Sequence, residues 1–131
     1  MDYHRFSSKS QTHLAQCDSD LERVACLALK YSKHDFGISE SIRTVERQKE
    51  LLSAGKSQTM NSRHLPNDNG ESEAIDIIVY VNGKVTWEIG YYRQVAQAFF
   101  RAAIELGVQI EWGGLWRTLV DGPHFQLSKR R

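Results

Sequence analysis

Residues 74–87, AIDIIVYVNGKVTW, constrain the fold more than any other stretch of the chain. Ala74 to Tyr80 is rich in β-branched residues, and Asn82-Gly83 is the dipeptide of a two-residue hairpin turn. Lys84-Val85-Thr86-Trp87 then returns as the partner strand. On a period of two, Ile75, Ile77 and Val79 share one face, while Asp76, Ile78 and Tyr80 share the other. Around this hairpin the pattern becomes helical. Leu14, Cys17, Leu21, Val24 and Ala28 make one stripe, and a capping box at Ser19-Asp20-Leu21-Glu22 starts that helix near Asp20. A second helix is expected from about Thr44 to Ser53, with Val45, Gln48, Leu51 and Leu52 inward and Gly55 just past its end. The longest runs roughly from Tyr91 to Leu106, with Val95, Phe99, Ala102, Ala103 and Leu106 on one face and Gly107 as its stop. Further strands are expected at 35–39, 108–112 and 124–127. The class that follows is α+β, a small antiparallel sheet packed with three main helices, in one domain spanning 1–131. Residues 1–13 read as a loose polar arm and 128–131 as a solvated basic tail.

Composition excludes several partners. A formal net charge of +1 with no basic stripe argues against a nucleic-acid binder. No apolar run is long enough to cross a bilayer, and MDYHRFSSKSQTHL lacks the apolar core of a secretory signal. The chain is therefore expected in a cytoplasm, without membrane insertion and as a monomer. Cys17 and Cys26 are the only cysteines and make no CxxC pair, so they read as reduced, partly buried thiols.

Three polar residues stand out against this background. Asp76 opens an otherwise apolar strand, where a carboxylate is costly unless it is paired or bound to a cation. His64 lies in the long polar connection 55–73, and such connections in small domains are usually functional. His124 follows a rigid turn in DGPHFQL, residues 121–127. Singly, these read as a strand-end cap, a loop histidine and a surface turn. Together they make a His-Asp-His set, the ligand type of a catalytic zinc site with a fourth position left for water. Such a site needs a separate carboxylate to move protons, and Asp121, held beside His124 by Gly122-Pro123, is the candidate general base. His4, His13 and His34 read as solvated.

These residues fall in an order that resembles the phage and bacterial L-alanyl-D-glutamate peptidases, within the larger fold group of zinc D-alanyl-D-alanine peptidases and hedgehog-like domains. The matching motifs are S-x-H at Ser62 and His64, A-x-D at Ala74 and Asp76, and the hairpin with Trp87. Trp112-Gly113-Gly114-Leu115-Trp116, D-x-x-H-F at Asp121 to Phe125, the helix start at 42–48 and Gly55-Lys56-Ser57 complete them. The resemblance covers about Leu14 to Leu127. It implies a Zn2+ held by His64, Asp76 and His124, with Asp121 as general base and acid. It also implies that Arg43 binds a substrate carboxylate or steadies the tetrahedral intermediate; the plainer reading of Arg43 is a salt bridge with Glu40 or Glu46. Ser62, Trp112 and Trp116 are taken as substrate-binding, the plainer reading of the two tryptophans being a place in the core.

The implied activity is hydrolysis of the L-Ala–D-Glu bond of the peptidoglycan stem peptide by a phage endolysin. Such an enzyme is released from the host cytoplasm to act on the wall. A D-alanyl-D-alanine carboxypeptidase on the same fold is the enzymatic alternative, and a non-catalytic zinc domain that binds wall peptide or a protein partner is the other. Two departures from the family pattern are present. The stretch between His64 and Asp76 is longer than usual, which reads as an expanded rim loop that alters substrate fit and leaves Asp68 as a second candidate ligand. Leu115 stands where an acidic residue is common.

Overall fold

Four α-helices and four strands, then a 3-10 turn, precede the final strand in the computed structural model, which describes residues 4–57 and 59–130. They are α1 (Ser8–Ala15), α2 (Ser19–Tyr31), β1 (Asp35–Glu40), α3 (Val45–Ser53), β2 (Ala74–Val81), β3 (Lys84–Thr86), α4 (Ile89–Leu106) and β4 (Ile110–Trp112). A 3-10 turn over Gly113–Leu115 then leads to β5 (His124–Leu127). All strand pairings are antiparallel. The sheet runs β1-β2-β5-β4, with β3 paired to β2 beside β5. One edge of β2 is taken by β1, and the other is shared by β5 at 74–76 and β3 at 79–81. The hairpin turn forms as its sequence requires, with Asn82 at φ 53° and Gly83 at φ 76°.

The alternation along β2 sorts its side chains as expected. Ile75, Ile77 and Val79 are fully buried, in the same core cluster as Leu21, Val24 and Ala28 of α2 and Val95 and Phe99 of α4. Phe99 stacks on Phe125 with ring centroids 4.0 Å apart. Each such buried aliphatic or aromatic side chain contributes about 1.5–3 kcal/mol of transfer free energy. Asp76 is thereby left on the opposite face, away from the core. α4 ends at Gly107 in the left-handed conformation, φ 70°.

Several expectations are corrected. Residues 8–13, read as part of a loose arm, belong to α1; residues 1–3 lie outside the described residues. The helix has only a weak apolar stripe and depends on tertiary contact: Ser7 caps it, and the buried Ser10 hydroxyl accepts from Ile38 N–H at 3.0 Å on the outer edge of β1. Asp18, rather than the Ser19 box, caps α2, accepting from Asp20 N–H at 2.8 Å. Cys17 is buried, whereas Cys26 faces solvent. In α3 only Gln48 is buried; Val45 and Leu52 are exposed. The basic tail is anchored in part, with Ser128 N–H donating to Gln109 O at 3.0 Å and Arg130 Nη2 to Asn61 O at 3.1 Å.

Candidate active site

Three separate segments bring His64, Asp76 and His124 together. Asp76 and His124 are direct partners across the β2–β5 ladder. Cross-strand partners share a face, so pairing alone aims both away from the core. His64 arrives from the loop before β2 and is placed by its own backbone. Its N–H donates to Ser62 Oγ at 3.1 Å, and its carbonyl accepts from Arg43 N–H at 2.8 Å. Asp76 Oδ1 lies 3.3 Å from His64 Nε2 and 3.3 Å from His124 Nδ1. One potential ligand atom from each residue falls within 4.8 Å of the other two.

The hydrogen bonds around the two imidazoles suit a metal ion. His64 Nδ1 lies 2.7 Å from the Ser41 carbonyl, which can only accept, so a neutral ring carries its proton there and leaves Nε2 bare. That Nε2 is buried and makes no hydrogen bond. A neutral His124 ring donating from Nε2 to Gln126 Oε1 at 2.8 Å leaves Nδ1 bare, whereas the protonated ring also bonds Asp76 Oδ1 from Nδ1 at 3.3 Å. With both rings neutral, two unprotonated nitrogens and a carboxylate oxygen converge on one point. Outer partners that fix the tautomer in this way are the usual companions of metal-bound histidines.

Electrostatics agree with the geometry. In the metal-free site, burial alone would raise the Asp76 pKa, but the hydrogen bond from a protonated His124 and the His64 imidazole beside it outweigh burial and hold the carboxyl well below its ordinary range. Burial pulls His124 down, yet the hydrogen bond to Asp76 and its charge, with Gln126 and Asp121, lift it above an ordinary histidine. Asp121 shifts the other way from Asp76. Burial and then the Asp76 charge raise it, against smaller lowering by His124, His64 and Arg43. Neighbouring carboxylates pushed apart in this way take different chemical roles.

The mount of Asp121 explains the W-G-G motif. Asp121 N–H donates to Gly113 O at 3.0 Å, and a Cβ on Gly113 would sit 2.3 Å from Asp121 O. Trp112 Nε1 donates to Gly122 O at 2.6 Å, and Ile77 N–H donates to Pro123 O at 2.9 Å. The turn at 121–123 is thus fastened on one side to the core tryptophan and on the other to the strand that carries Asp76. His124 N–H closes it on Asp121 O at 3.1 Å.

An open cleft of about 780 Å³ holds the cluster. Its walls include Arg43, Ser62, Asp121 and Trp116, with Lys56, Ser57 and Thr59 along one side. Trp116 sits 5.0 Å from the His124 ring. Arg43 makes the salt bridge of its plainer reading, Nε binding Glu40 Oε1 at 2.7 Å, while Nη2 lies 3.8 Å from Asp76 Oδ2. Trp112 is not brought to the cleft. It is 4% exposed and packs on Phe125, so its part is to hold Gly122 rather than substrate.

The expanded segment 65–73 is not a cleft wall either. Asn67 folds it on itself, accepting from Asn69 and Glu71 N–H and donating to Glu73 Oε2. Glu73 then faces Arg63, next to His64, at 3.7 Å. Asp68 is exposed and stands apart from the cluster. His34 bonds Gln94 and meets Tyr91 edge-on, so it is not simply solvated. Sequence reasoning passed over Gln126, although it lies two residues from His124 and so on the same strand face. It also passed over the Ser41 carbonyl, which no side-chain pattern could reveal.

Comparison with known proteins gives a consistent family. The family model for phage L-alanyl-D-glutamate peptidase matches residues 1–127. The L-alanyl-D-glutamate peptidase of Escherichia phage T5 is 32% identical over 138 residues, covering 94% of this chain and 97% of that protein. The L-alanyl-D-glutamate peptidase of Listeria phage A118 is 39% identical over 92 residues, covering 70% of this chain and 30% of that protein. The crystal structure of the Serratia marcescens L-Ala D-Glu endopeptidase ChiX superposes with a TM-score of 0.87 at 46% identity, covering 97% of this chain and 92% of that one.

Proposed function

The chain belongs to the phage L-alanyl-D-glutamate peptidase family, and we propose that it is a zinc-dependent endopeptidase cutting the L-Ala–D-Glu bond of peptidoglycan stem peptides. One observation carries the metal assignment: two bare imidazole nitrogens and the Asp76 carboxylate converge in a cleft beside a second carboxylate of raised pKa. His64, Asp76 and His124 are the ligands, and Zn2+ bound there would polarise the scissile carbonyl and acidify water. Asp121 takes the proton of the attacking water and passes it to the leaving nitrogen. Its raised pKa suits both halves of that task, since a group that must accept and then donate works best near the ambient pH. Arg43 presents its guanidinium to the developing oxyanion or to the carboxylate next to the cut. Trp116 and Ser62 line the approach.

In biological terms this is an endolysin that acts as a monomer, passes from the host cytoplasm to the wall and lyses the cell. No described helix is long and apolar enough to cross a membrane.

The test is mass spectrometry of purified peptidoglycan fragments after digestion, with and without a chelator. New L-Ala carboxyl and D-Glu amino ends, abolished by chelation and restored by zinc, are expected. Release of free D-Ala would move the protein to the carboxypeptidase class. No cleavage by a folded, zinc-loaded sample would leave a binding domain.

A further inference from the structure

Helix α3 buries a single side chain, and that side chain is polar. Gln48 is 0% exposed, while Val45 and Leu52 of the same helix stand in solvent. Its amide is fully used. Oε1 accepts from Arg43 Nη1 at 2.8 Å, and Nε2 donates to Thr59 O at 2.6 Å and Ser57 Oγ at 2.9 Å. A nine-residue helix is marginal by itself and normally depends on an apolar face. This one is seated instead on a junction between an arginine and a cleft wall.

We propose that Gln48 is the positioning residue for Arg43, holding its guanidinium toward Asp76 and Asp121 and tying it to the cleft wall at Ser57 and Thr59. Glu40 grips Nε from a partly exposed position, which is one point of attachment. Gln48 supplies a second from a fully buried one. Two points fix the plane of a rigid guanidinium, and the plane determines where the remaining N–H groups aim. The Arg43 backbone is held by the carbonyl of His64, so backbone and side chain are registered to the same cluster. Gln48 touches neither the ligands nor the reacting atoms by any bond above; it acts through Arg43.

The proposal rests on the peptidase reading, and its test separates the two. A double-mutant cycle on the full-length, zinc-loaded protein compares R43A, Q48M and R43A/Q48M on muropeptides containing the L-Ala–D-Glu bond. Methionine keeps the shape of glutamine and removes its hydrogen bonds. Q48M is expected to lower kcat/KM by about 10- to 100-fold, less than the roughly 10²- to 10³-fold of deleting an electrostatic donor outright. Zinc affinity, read by competition with a chromophoric chelator, is expected to stay at the wild-type value. R43A/Q48M is expected to be no worse than R43A, because a residue acting through another adds nothing once that other is gone. Losses that multiply would overturn the proposal.

Q48E keeps the acceptor for Arg43 and gives up the donors to the wall, so it should retain most of the activity that Q48M loses. Equal loss in both variants would assign Gln48 to the wall alone. Nitrogen-15 spectra of Arg43 give a readout free of catalysis: resolved Nη signals in the wild type, collapsed in Q48M. Unchanged signals would also sink the idea. Failure of the wild type to cleave would strike the peptidase reading, and the Nη signals would still decide the role of Gln48.

Discussion

Replacing Gly113 by alanine should cripple hydrolysis by displacing Asp121, with every metal ligand left unchanged. Gly113 is absent from the positive-φ glycines, so alanine is conformationally acceptable there and the effect is one of contact. The added Cβ would lie 2.3 Å from Asp121 O, 3.0 Å from Asp121 Cβ and 3.2 Å from its carbonyl carbon. To reach an ordinary contact of 3.4 Å, the Asp121 backbone must retreat by about 1 Å, and a misplacement of that size costs on the order of 100-fold in rate. In barrier terms this is about 2.7 kcal/mol. Overpacking should also cost about 1–3 kcal/mol of stability. The assay is kcat/KM on muropeptides, with zinc content by elemental analysis and thermal unfolding measured alongside. Normal zinc content with a rate loss of about 100-fold is expected. A G113A enzyme with kcat/KM within about threefold of the wild type would refute the reasoning, since the barrier would then not depend on where the Asp121 loop sits.

Other perturbations separate the roles of the site residues. Asp121→Ala should keep zinc and lose about 10²- to 10⁴-fold in turnover, whereas His124→Ala should lose zinc and stability together; zinc retained in His124→Ala would contradict the ligand set. In metal-free protein the raised His124 pKa means that its ion pair with Asp76 stabilises fully below about pH 6.5 and fades as pH rises through the higher folded value. The thermal unfolding midpoint in chelator should therefore fall over that interval while zinc affinity strengthens, with proton release on zinc binding; no proton release would refute it. Cys17, buried and pushed up to about 12, should resist alkylation until the chain unfolds, while the exposed Cys26 reacts in the native state.

The elements that could be read from the sequence are those that carry their own signal. β2 alternates, Asn82-Gly83 can hardly be anything but a tight turn, and α4 has a continuous apolar stripe closed by Gly107. The pairing of Asp76 with His124 follows once both lie on neighbouring antiparallel strands. What was hidden depends on partners remote in sequence. α1 lacks a strong stripe because part of its reward is the Ser10–Ile38 hydrogen bond. Gln48 fits the inward helical spacing, but nothing local says that it is buried for its amide and that Val45 and Leu52 are not buried at all. Trp112 could be placed either in the cleft or in the core, and only the Gly122 carbonyl decides it. The long connection after His64 reads as a cleft-rim loop because of its extra length. Its polarity is spent on its own turns and on Glu73.

The two histidines differ in what orients them. His64 leans on the main-chain oxygen of Ser41, and His124 leans on the side chain of Gln126. A carbonyl belonging to the backbone survives every substitution at its position, so the aim of His64 is insulated from mutation at 41. Position 126 is different. There one codon change alters the acceptor, its charge or its reach, and with it the basicity and angle of the nitrogen that His124 offers. Drift or directed evolution can thus adjust this centre through one of its imidazoles while the other stays as a constant.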